Sequence, residues 1–539
     1  MLIRYSRFPR LIRSYSIALS YLYNKDPKCK SCGIILQNDS PEKPGYYIRY
    51  EKKTPVVKQS DLIYKKYKSK LEDEEVIQMN NTEDSNDSKT VLSCIRCRQI
   101  QNYSNFKLEI DQYPIHNLST IMTTLIPRNA PIVYLFNSLD FPMGINPEIF
   151  KFRKPHEIFF IMTKSDNLIQ KETAYENYTK QFIEDYLNKK YDVPKENIFI
   201  TSGKKNWKTF DLYNGIPDQS YIIGSTNCGK STLINSLLLN KELKSNSSMS
   251  FQKRKKFMNR FKNGDGPGTS YLPGYTRDII PVQIGNKTFF DVPGFTTTSN
   301  LLNFYKSMSG KSINQVIKGK QMYKHGTFKS EYFTIKNKQI LNLQGLGYVV
   351  IPSDSIFQIR NVTNLNLSIQ KDLEKVQQLI KDTPVSMKDN FLTNVPLKSM
   401  DKYIVPPFFG PVDLVLENIG YINIKPTGKK LSNELIEIYL IPGLQAVLRQ
   451  SILSYLSKSF TGLDKNYNPL RKENWYEKST LKLKRYNEAE PFHSKLIKVN
   501  EEDRIGNGSN EEVLRKKLGV IYDESVKIDD NNKYLFWRE

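Results

Sequence analysis

After the N-terminus, no apolar run approaches the roughly 18 residues a helix needs to cross a bilayer, so no transmembrane span is expected. Cysteine is scarce, five in 539 residues, and histidine scarcer, at four. In the C-terminal part only His325 and His493 occur, and no catalytic constellation can be assembled there. No helix carries a groove-reading signature, which argues against a DNA-directed role. Acidic residues are missing from the first 25 positions, where Arg4, Arg7, Arg10 and Arg13 stand among serines and scattered Leu and Ile. That is the composition of a mitochondrial transit peptide, expected over residues 1–24, with Arg13-Ser14-Tyr15-Ser16 as the candidate cleavage region. A plain basic N-terminus is the alternative. The expectation is a soluble protein of the mitochondrial matrix, monomeric, with at most peripheral contact to the inner membrane.

The length suits about three domains, and 39% hydrophobic residues can build sizeable cores. Eighty Lys plus Arg against 56 Asp plus Glu leave a net charge of +24. Such a balance favours polyanions, RNA or anionic lipid; a generally solvated basic surface is the blander reading.

The most specific stretch is Tyr221 to Thr232, YIIGSTNCGKST. An apolar strand enters Gly224, Gly229-Lys230-Ser231 follow, and Leu233, Ile234, Leu237 and Leu238 continue with helical spacing. A phosphate chain needs many aligned N–H donors and no side chains in the way. Gly224 and Gly229 let the backbone wrap closely, and the helix start adds its positive dipole end. Lys230 reaches the β and γ phosphates, and Ser231 ligates Mg2+. Asn227, Cys228 and Thr232 complete the loop, Cys228 as a small residue.

Upstream, short apolar runs at Ile132 to Phe136, Ile158 to Met162 and Ile198 to Ile200 alternate with helical spacing over Thr173 to Lys189. That alternation predicts a mostly parallel α/β sheet. The second run ends in Thr163-Lys164-Ser165-Asp166, where ligands bind in such sheets. The carboxylate of Asp166 can accept from both the ring N–H and the amino group of guanine, a pair adenine lacks, which selects GTP over ATP. Lys164 is placed over the base plane. The third run ends in Thr201-Ser202-Gly203-Lys204, whose backbone N–H groups can reach the guanine carbonyl.

Downstream, Lys241 to Gly268 is a basic insertion containing Lys253-Arg254-Lys255-Lys256, readable as an RNA-contacting loop or as a solvated one. Thr276 then offers a hydroxyl to Mg2+. A strand over Thr288 to Phe290 runs into Asp291-Val292-Pro293-Gly294, where Asp291 holds the metal through water and the Gly294 N–H senses the γ-phosphate. The catalytic set is therefore Lys230, Thr276 and Gly294.

Four of the five cysteines form two C-x-x-C pairs, Cys29 with Cys32 and Cys94 with Cys97. Four thiolates from two tight turns suit tetrahedral zinc; redox pairs and disulfides are the alternatives. The acidic, Asn- and Ser-rich stretch from Leu71 to Lys89 reads as a disordered insertion between the pairs.

With its guanine motif ahead of its phosphate loop and a four-cysteine motif ahead of both, the chain resembles the YqeH-type circularly permuted GTPases, in a fungal mitochondrial branch. Cys94-Ile95-Arg96-Cys97 and its trailing segment to Tyr103 are similar to that family's second knuckle. Only weaker echoes remain at Leu341 to Val349 and Asp413 to Ile424. The resemblance implies GTP and GDP as ligands with Mg2+ and Zn2+, and assembly of the mitochondrial small ribosomal subunit through its RNA or the nascent particle. The branch's naming points instead to inner-membrane organisation or lipid homeostasis, and a nucleotide-binding scaffold with little turnover is a third reading.

Two departures bear on the chemistry. Phe295 stands where many GTPases carry a water-orienting Gln, so slow intrinsic hydrolysis is expected. Asn227 occupies a position that in related GTPases helps bind a potassium ion bridging the phosphates, or is a simple turn residue.

The architecture expected is multidomain: the transit peptide, a zinc-knuckle domain over 25–105, a permuted α/β GTPase domain over 106–305, and an α+β C-terminal recognition domain over 306–539. In that last part strands are expected at Tyr332 to Ile335, Tyr348 to Ile351 and Ile436 to Ile441. Helices are expected at Leu373 to Ile380 and Leu444 to Leu456. A small basic cluster, Lys482, Lys484 and Arg485 with Tyr486, closes the inventory.

Overall fold

The computed structural model describes residues 27–48, 93–103, 116–168, 172, 180–245, 267–269 and 274–296. In the C-terminal half it describes 316, 323–324, 327–328, 331–353, 355–382, 392–393, 395–405, 411–427, 434–451, 460–463, 469–471, 493–500 and 509–518. The expected leader, the acidic insertion, the Lys253 to Lys256 run and the Lys482 to Tyr486 cluster lie outside the described residues.

The central element is a six-stranded sheet: β1 (Ile132–Asn137), β2 (Ile158–Thr163), β3 (Ile198–Ile200), β4 (Ser220–Gly224), β5 (Ile280–Ile284) and β6 (Lys287–Asp291). Their spatial order is β3-β2-β1-β4-β6-β5, parallel except for the terminal hairpin of β5 on β6. Every residue of β1 is buried, as a central parallel strand covered on both faces requires. Its two-residue period sends Tyr134 and Phe136 into one core, with Leu118, Ile121 and Phe160. Val133 and Leu135 enter another, with Leu212, Ile222, Ile234 and Phe289. Strand β5, on the edge, alternates exposed and buried positions instead.

The helix Lys230–Ser245 follows β4 directly and covers the second core with Leu233, Ile234 and Leu237. The expected helix over Thr173 to Lys189 is seen as Lys180–Tyr191, and it seats Phe182, Ile183, Tyr186 and Leu187 against the first core.

The C-terminal half is richer in strand than the sequence suggested. One antiparallel sheet runs, in spatial order, through His493–Lys495, Ala446–Gln450, Val412–Leu416, Gly420–Pro426, Ile356–Asn361 and Glu331–Lys336. A second runs through Ser368–Gln370, Ile340–Asn342, Gly347–Val350, Glu437–Leu440, Asp401–Ile404 and Ile497–Lys498. The helix Leu373–Asp382 forms as expected. Of the helix expected from Leu444 to Leu456, the part from Ile452 on lies outside the described residues, and the rest is not helical: Ala446–Gln450 is a strand, because Val412–Leu416 supplies a full antiparallel ladder to it. Local spacing lost to tertiary pairing there. Val362, Val415 and Tyr421 of this half belong to the same core as Tyr134 and Phe136, so its first sheet is packed onto the central sheet. Among the described residues no helix is long and apolar enough to cross a membrane.

Candidate nucleotide cleft and cysteine cluster

The carboxyl ends of β2, β3, β4 and β6 open onto one cleft of about 540 Å³. It is lined at one end by Thr163, Lys164, Asp166, Gly203 and Lys204, and at the other by Asn227, Gly229, Lys230, Ser231, Thr232, Thr276 and Gly294. Most of the residues singled out for base, phosphate and metal contact thus line one cleft, although they come from stretches on both sides of β4 in the chain.

The loop after β4 is tightly determined. A Cβ on Gly224 would lie 2.5 Å from the Leu135 carbonyl oxygen and 2.6 Å from Cys228 Sγ, so only glycine lets β4 leave β1 here. Gly229 has φ +101° and Asn227 φ +60°, the left-handed region that Gly and Asn enter most readily. Cys228 is buried beneath the loop, and burial raises its thiol pKa, against the pull of Lys230. Lys230 Nζ donates to the Gly224 and Ser225 carbonyls at 2.9 and 3.0 Å.

Ser231 Oγ donates to Asp291 Oδ2 at 2.7 Å. Asp291 is fully buried; burial pushes its carboxyl up to about 6, opposed by Ser231 and Lys230, and its Oδ1 has no protein partner. A hydroxyl and a buried carboxylate with a spare oxygen are hard oxygen donors that fit Mg2+. Gly294 follows at once: a Cβ there would meet Lys230 Nζ at 3.0 Å and Thr226 Cα at 3.1 Å. The backbone after it is tied to the loop by Thr226 N–H to Phe295 O at 2.9 Å, while the Phe295 side chain is buried near Tyr134, away from the cleft.

At the base end, Lys164 takes φ +53° and turns the chain so that Asp166 lines the cleft. Ser202 Oγ donates to Asp166 Oδ1 at 2.7 Å, and Ser165 Oγ donates to Thr201 O, so the two base loops brace each other. Thr163 Oγ1 donates to Phe136 O at 3.2 Å and to Cys228 O, joining the base loop to the phosphate loop. Burial lowers the Lys164 pKa, against the Asp140 carboxylate nearby. Thr201 and Ser202 are buried supports of Asp166 and, with Gly224, Cys228 and Asp291, do not line the cleft. Asn167, Thr269 and Tyr275 do line it and had no signature of their own in the sequence.

The four paired cysteines form a second cluster. Cys29, Cys32, Cys94 and Cys97 are all buried, with their sulfurs within 4.8 Å of one another, and Cys32 Sγ lies 3.9 Å from Cys94 Sγ. Tetrahedral zinc at a Zn–S distance of about 2.3 Å sets sulfurs about 3.8 Å apart, so the donor set fits. Hydrogen bonds from Cys32, Cys94 and Cys97 hold the Cys29 thiol well below its ordinary range. The Cys94 N–H donates to Cys29 Sγ at 3.4 Å, and Gly33 closes the first turn with its N–H on Cys29 O at 2.8 Å.

The parallel sheet, the glycine-bounded loop running into a helix, and the Ser231–Asp291 pair define a GTPase-type α/β domain. Matching that, the family model described as 50S ribosome-binding GTPase covers residues 219–345. Models described as the N-terminal and C-terminal domains of genetic interactor of prohibitins 3 cover 28–111 and 330–529. The chain is 38% identical to genetic interactor of prohibitins 3, mitochondrial, of Lodderomyces elongisporus, over 97% of each chain. The protein of that name from Candida albicans is 37% identical over 96% of each. That from Debaryomyces hansenii is 34% identical over 97% of this chain and 95% of its own. This chain belongs to the genetic interactor of prohibitins 3 family.

Proposed function

We propose that this chain is a mitochondrial GTPase, a circularly permuted one, that assists assembly of the small subunit of the mitochondrial ribosome as a nucleotide-gated switch. The observation that carries the GTPase reading is the single cleft in which Asp166, Lys230, Ser231, Thr276 and Gly294 converge. In it Asp166 selects guanine, the loop from Gly224 to Ser231 wraps the phosphates, and Lys230 leaves the loop carbonyls for the phosphate oxygens. Ser231, Thr276 and, through water, Asp291 would hold Mg2+, which supplies charge neutralisation at the phosphates when bound. With Phe295 turned into the core, no side chain at that position orients water, so turnover is slow. The fit of the four-cysteine cluster to zinc, the mitochondrial location named in the relatives, the net charge of +24 and the likeness to YqeH-type proteins support the remainder of the reading.

The order of elements fits a permutation, since the strand carrying Thr163 to Asp166 precedes the phosphate-loop strand β4 in the chain yet pairs on the far side of β1. Consequently the Asp291 to Gly294 segment leads into the C-terminal half, and its ordering by a γ-phosphate can be passed on there.

The test is sedimentation of mitochondrial lysate on gradients with a non-hydrolysable GTP analogue or with GDP. Co-migration with small-subunit particles under the analogue and release under GDP is the expected result. Co-migration with the large subunit would redirect the assignment. Free protein in both states, with carbonate-resistant pelleting of membranes, would support the reading that the family's name invites, a factor linked to inner-membrane or lipid homeostasis. A Lys230→Ala variant that retains function in cells would mark a scaffold without useful turnover.

A further inference from the structure

We infer that the cysteine knuckle is the fixed anchor of the loop that carries Thr276, so that zinc occupancy sets how well this chain distinguishes GTP from GDP. This rests on the nucleotide reading above and extends it to a positioning role for residues far from the phosphates.

The contacts fall on Gly274, Tyr275, Arg277 and Asp278, on either side of Thr276. The Arg277 N–H donates to the Cys32 carbonyl at 2.9 Å, and the Asp278 N–H approaches the same oxygen at 3.3 Å. Lys28 Nζ pairs with Asp278 Oδ2 at 2.9 Å, both side chains about one-third exposed or less. Arg96, between Cys94 and Cys97, donates through Nη2 to the Gly274 carbonyl at 3.0 Å and sits 6.0 Å from the centre of the Tyr275 ring. Tyr275 is 5% exposed and belongs to the same buried cluster as the four cysteines. Thr276 is therefore held on its N-terminal side by Arg96 and Tyr275 and on its C-terminal side by Cys32 and Lys28.

The approach leaves no slack. A Cβ on Gly33 would lie 3.0 Å from Asp278 O, and Gly33 needs φ +81°. A Cβ on Gly268 would lie 2.6 Å from the Tyr275 ring and 2.7 Å from Ser31. The two turns thus dock by backbone shape, and the first of them, Cys29 to Gly33, is the turn whose geometry a bound zinc fixes. A knuckle without metal loses the sulfur cage that aims the Cys32 carbonyl at Arg277.

A threonine that closes on Mg2+ and the γ-phosphate contributes to binding GTP and not GDP. Anchoring the loop therefore lowers the ordering cost for the triphosphate state alone, and releasing it weakens that state selectively. Lys28, Arg96 and Tyr275 are positioning residues in this scheme.

The full-length protein is purified with zinc, and a second sample is treated with a zinc chelator; a third carries Arg96→Met with all cysteines intact. Affinities for a non-hydrolysable GTP analogue with Mg2+ and for GDP are measured by calorimetry, and backbone amide exchange is followed in the segment from Gly274 to Asp278. The expected result is a fall of about tenfold in the analogue-to-GDP affinity ratio on chelation and a smaller fall in the variant. GDP affinity should stay within about twofold in both, with faster exchange at Arg277 and Asp278. GDP binding by an untouched protein establishes the nucleotide reading on its own. Should GDP bind while zinc removal moves neither the ratio nor the exchange, the anchor is refuted and that reading stands. Loss of GDP binding together with the analogue would show that zinc supports the whole fold and would equally overturn the anchor.

Discussion

Arg449 and Phe141 are joined across the two halves of the molecule: Arg449 Nη1 donates to the Phe141 carbonyl at 2.5 Å, although 308 positions separate them in the sequence. The same nitrogen reaches Ser138 O at 3.4 Å, and Ser138 Oγ donates to Lys164 O at 2.9 Å. A buried cation of the C-terminal half therefore abuts the loop that carries the base-recognition residues. Its charge is balanced by Asp413, whose Oδ2 accepts from Arg449 Nε at 3.1 Å, and its plane lies 4.5 Å from the Tyr421 ring.

Arg449→Met should therefore destabilise the protein by about 3 kcal/mol or more, because the Asp413 carboxylate, 1% exposed, loses the cation that balances its charge and keeps the neutral Asn423 amide. Adding Asp413→Leu should restore a large part of that loss, as buried pairs are often replaceable as a unit. Denaturant unfolding of wild type, single and double variants checks both statements; an unaffected single variant would contradict the buried-pair account.

Asp166→Asn should exchange guanine for xanthine. The amide of Asn cannot accept from both guanine donors, but it can donate to the carbonyl that xanthine carries in place of the amino group. Affinity for GTP should fall on the order of 100-fold while affinity for xanthosine triphosphate rises, read by calorimetry. Unchanged GTP affinity would remove Asp166 from the base site.

Asp140 gives a pH signature. Burial pushes its carboxyl up to about 6, opposed first by Lys164 and also by Arg449. A pKa raised in the folded state favours the protonated form there, so the stability it contributes is complete below its unfolded value, near 4, and is lost as pH rises through about 6. In Asp140→Asn that loss should disappear. The variant should gain stability relative to wild type, by up to about 3 kcal/mol, between pH 4 and pH 7. Parallel stability curves for the two proteins would count against this.

Asn227 sets the expectation for monovalent ions. It lines the cleft with φ +60°, and its Nδ2 is buried without a partner. If its amide oxygen helps hold a cation that neutralises developing charge on the phosphates, GTP turnover should be several-fold faster in potassium than in sodium at equal ionic strength. Equal rates in the two salts would leave Asn227 as a turn residue, a role its left-handed conformation already explains.

The strands β1 to β4 and β6 were legible because their signals are local: short apolar runs ending at Asn137, Thr163, Ile200, Gly224 and Asp291, each within a residue or two of the expected bounds. The cleft was legible for the same reason, since Lys230, Ser231 and Asp166 sit in fixed-spacing motifs. What stayed hidden depends on distant pairing. The stretch from Leu444 to Gln450 carries Leu444, Val447 and Leu448 at helical spacing, and nothing nearby reveals that Val412–Leu416 will pair with Ala446–Gln450. Arg277 and Arg449 looked like two more basic residues among 80 Lys and Arg. Their partners, Cys32 and Phe141, are set by how separate layers dock, which no local pattern encodes.

Strand order also has a consequence for synthesis. The chain is made from its N-terminus, so β1, β2 and β3 leave the ribosome before β4, which pairs with the free side of β1 and links it to β6 and β5. Until Tyr221 to Gly224 arrives, Ile132 to Phe136 presents an unpaired apolar edge to the surroundings, a template for intermolecular pairing. The base-recognition half is thus translated first and lacks its β4 neighbour until that strand is made, so truncations ending before β4 should aggregate.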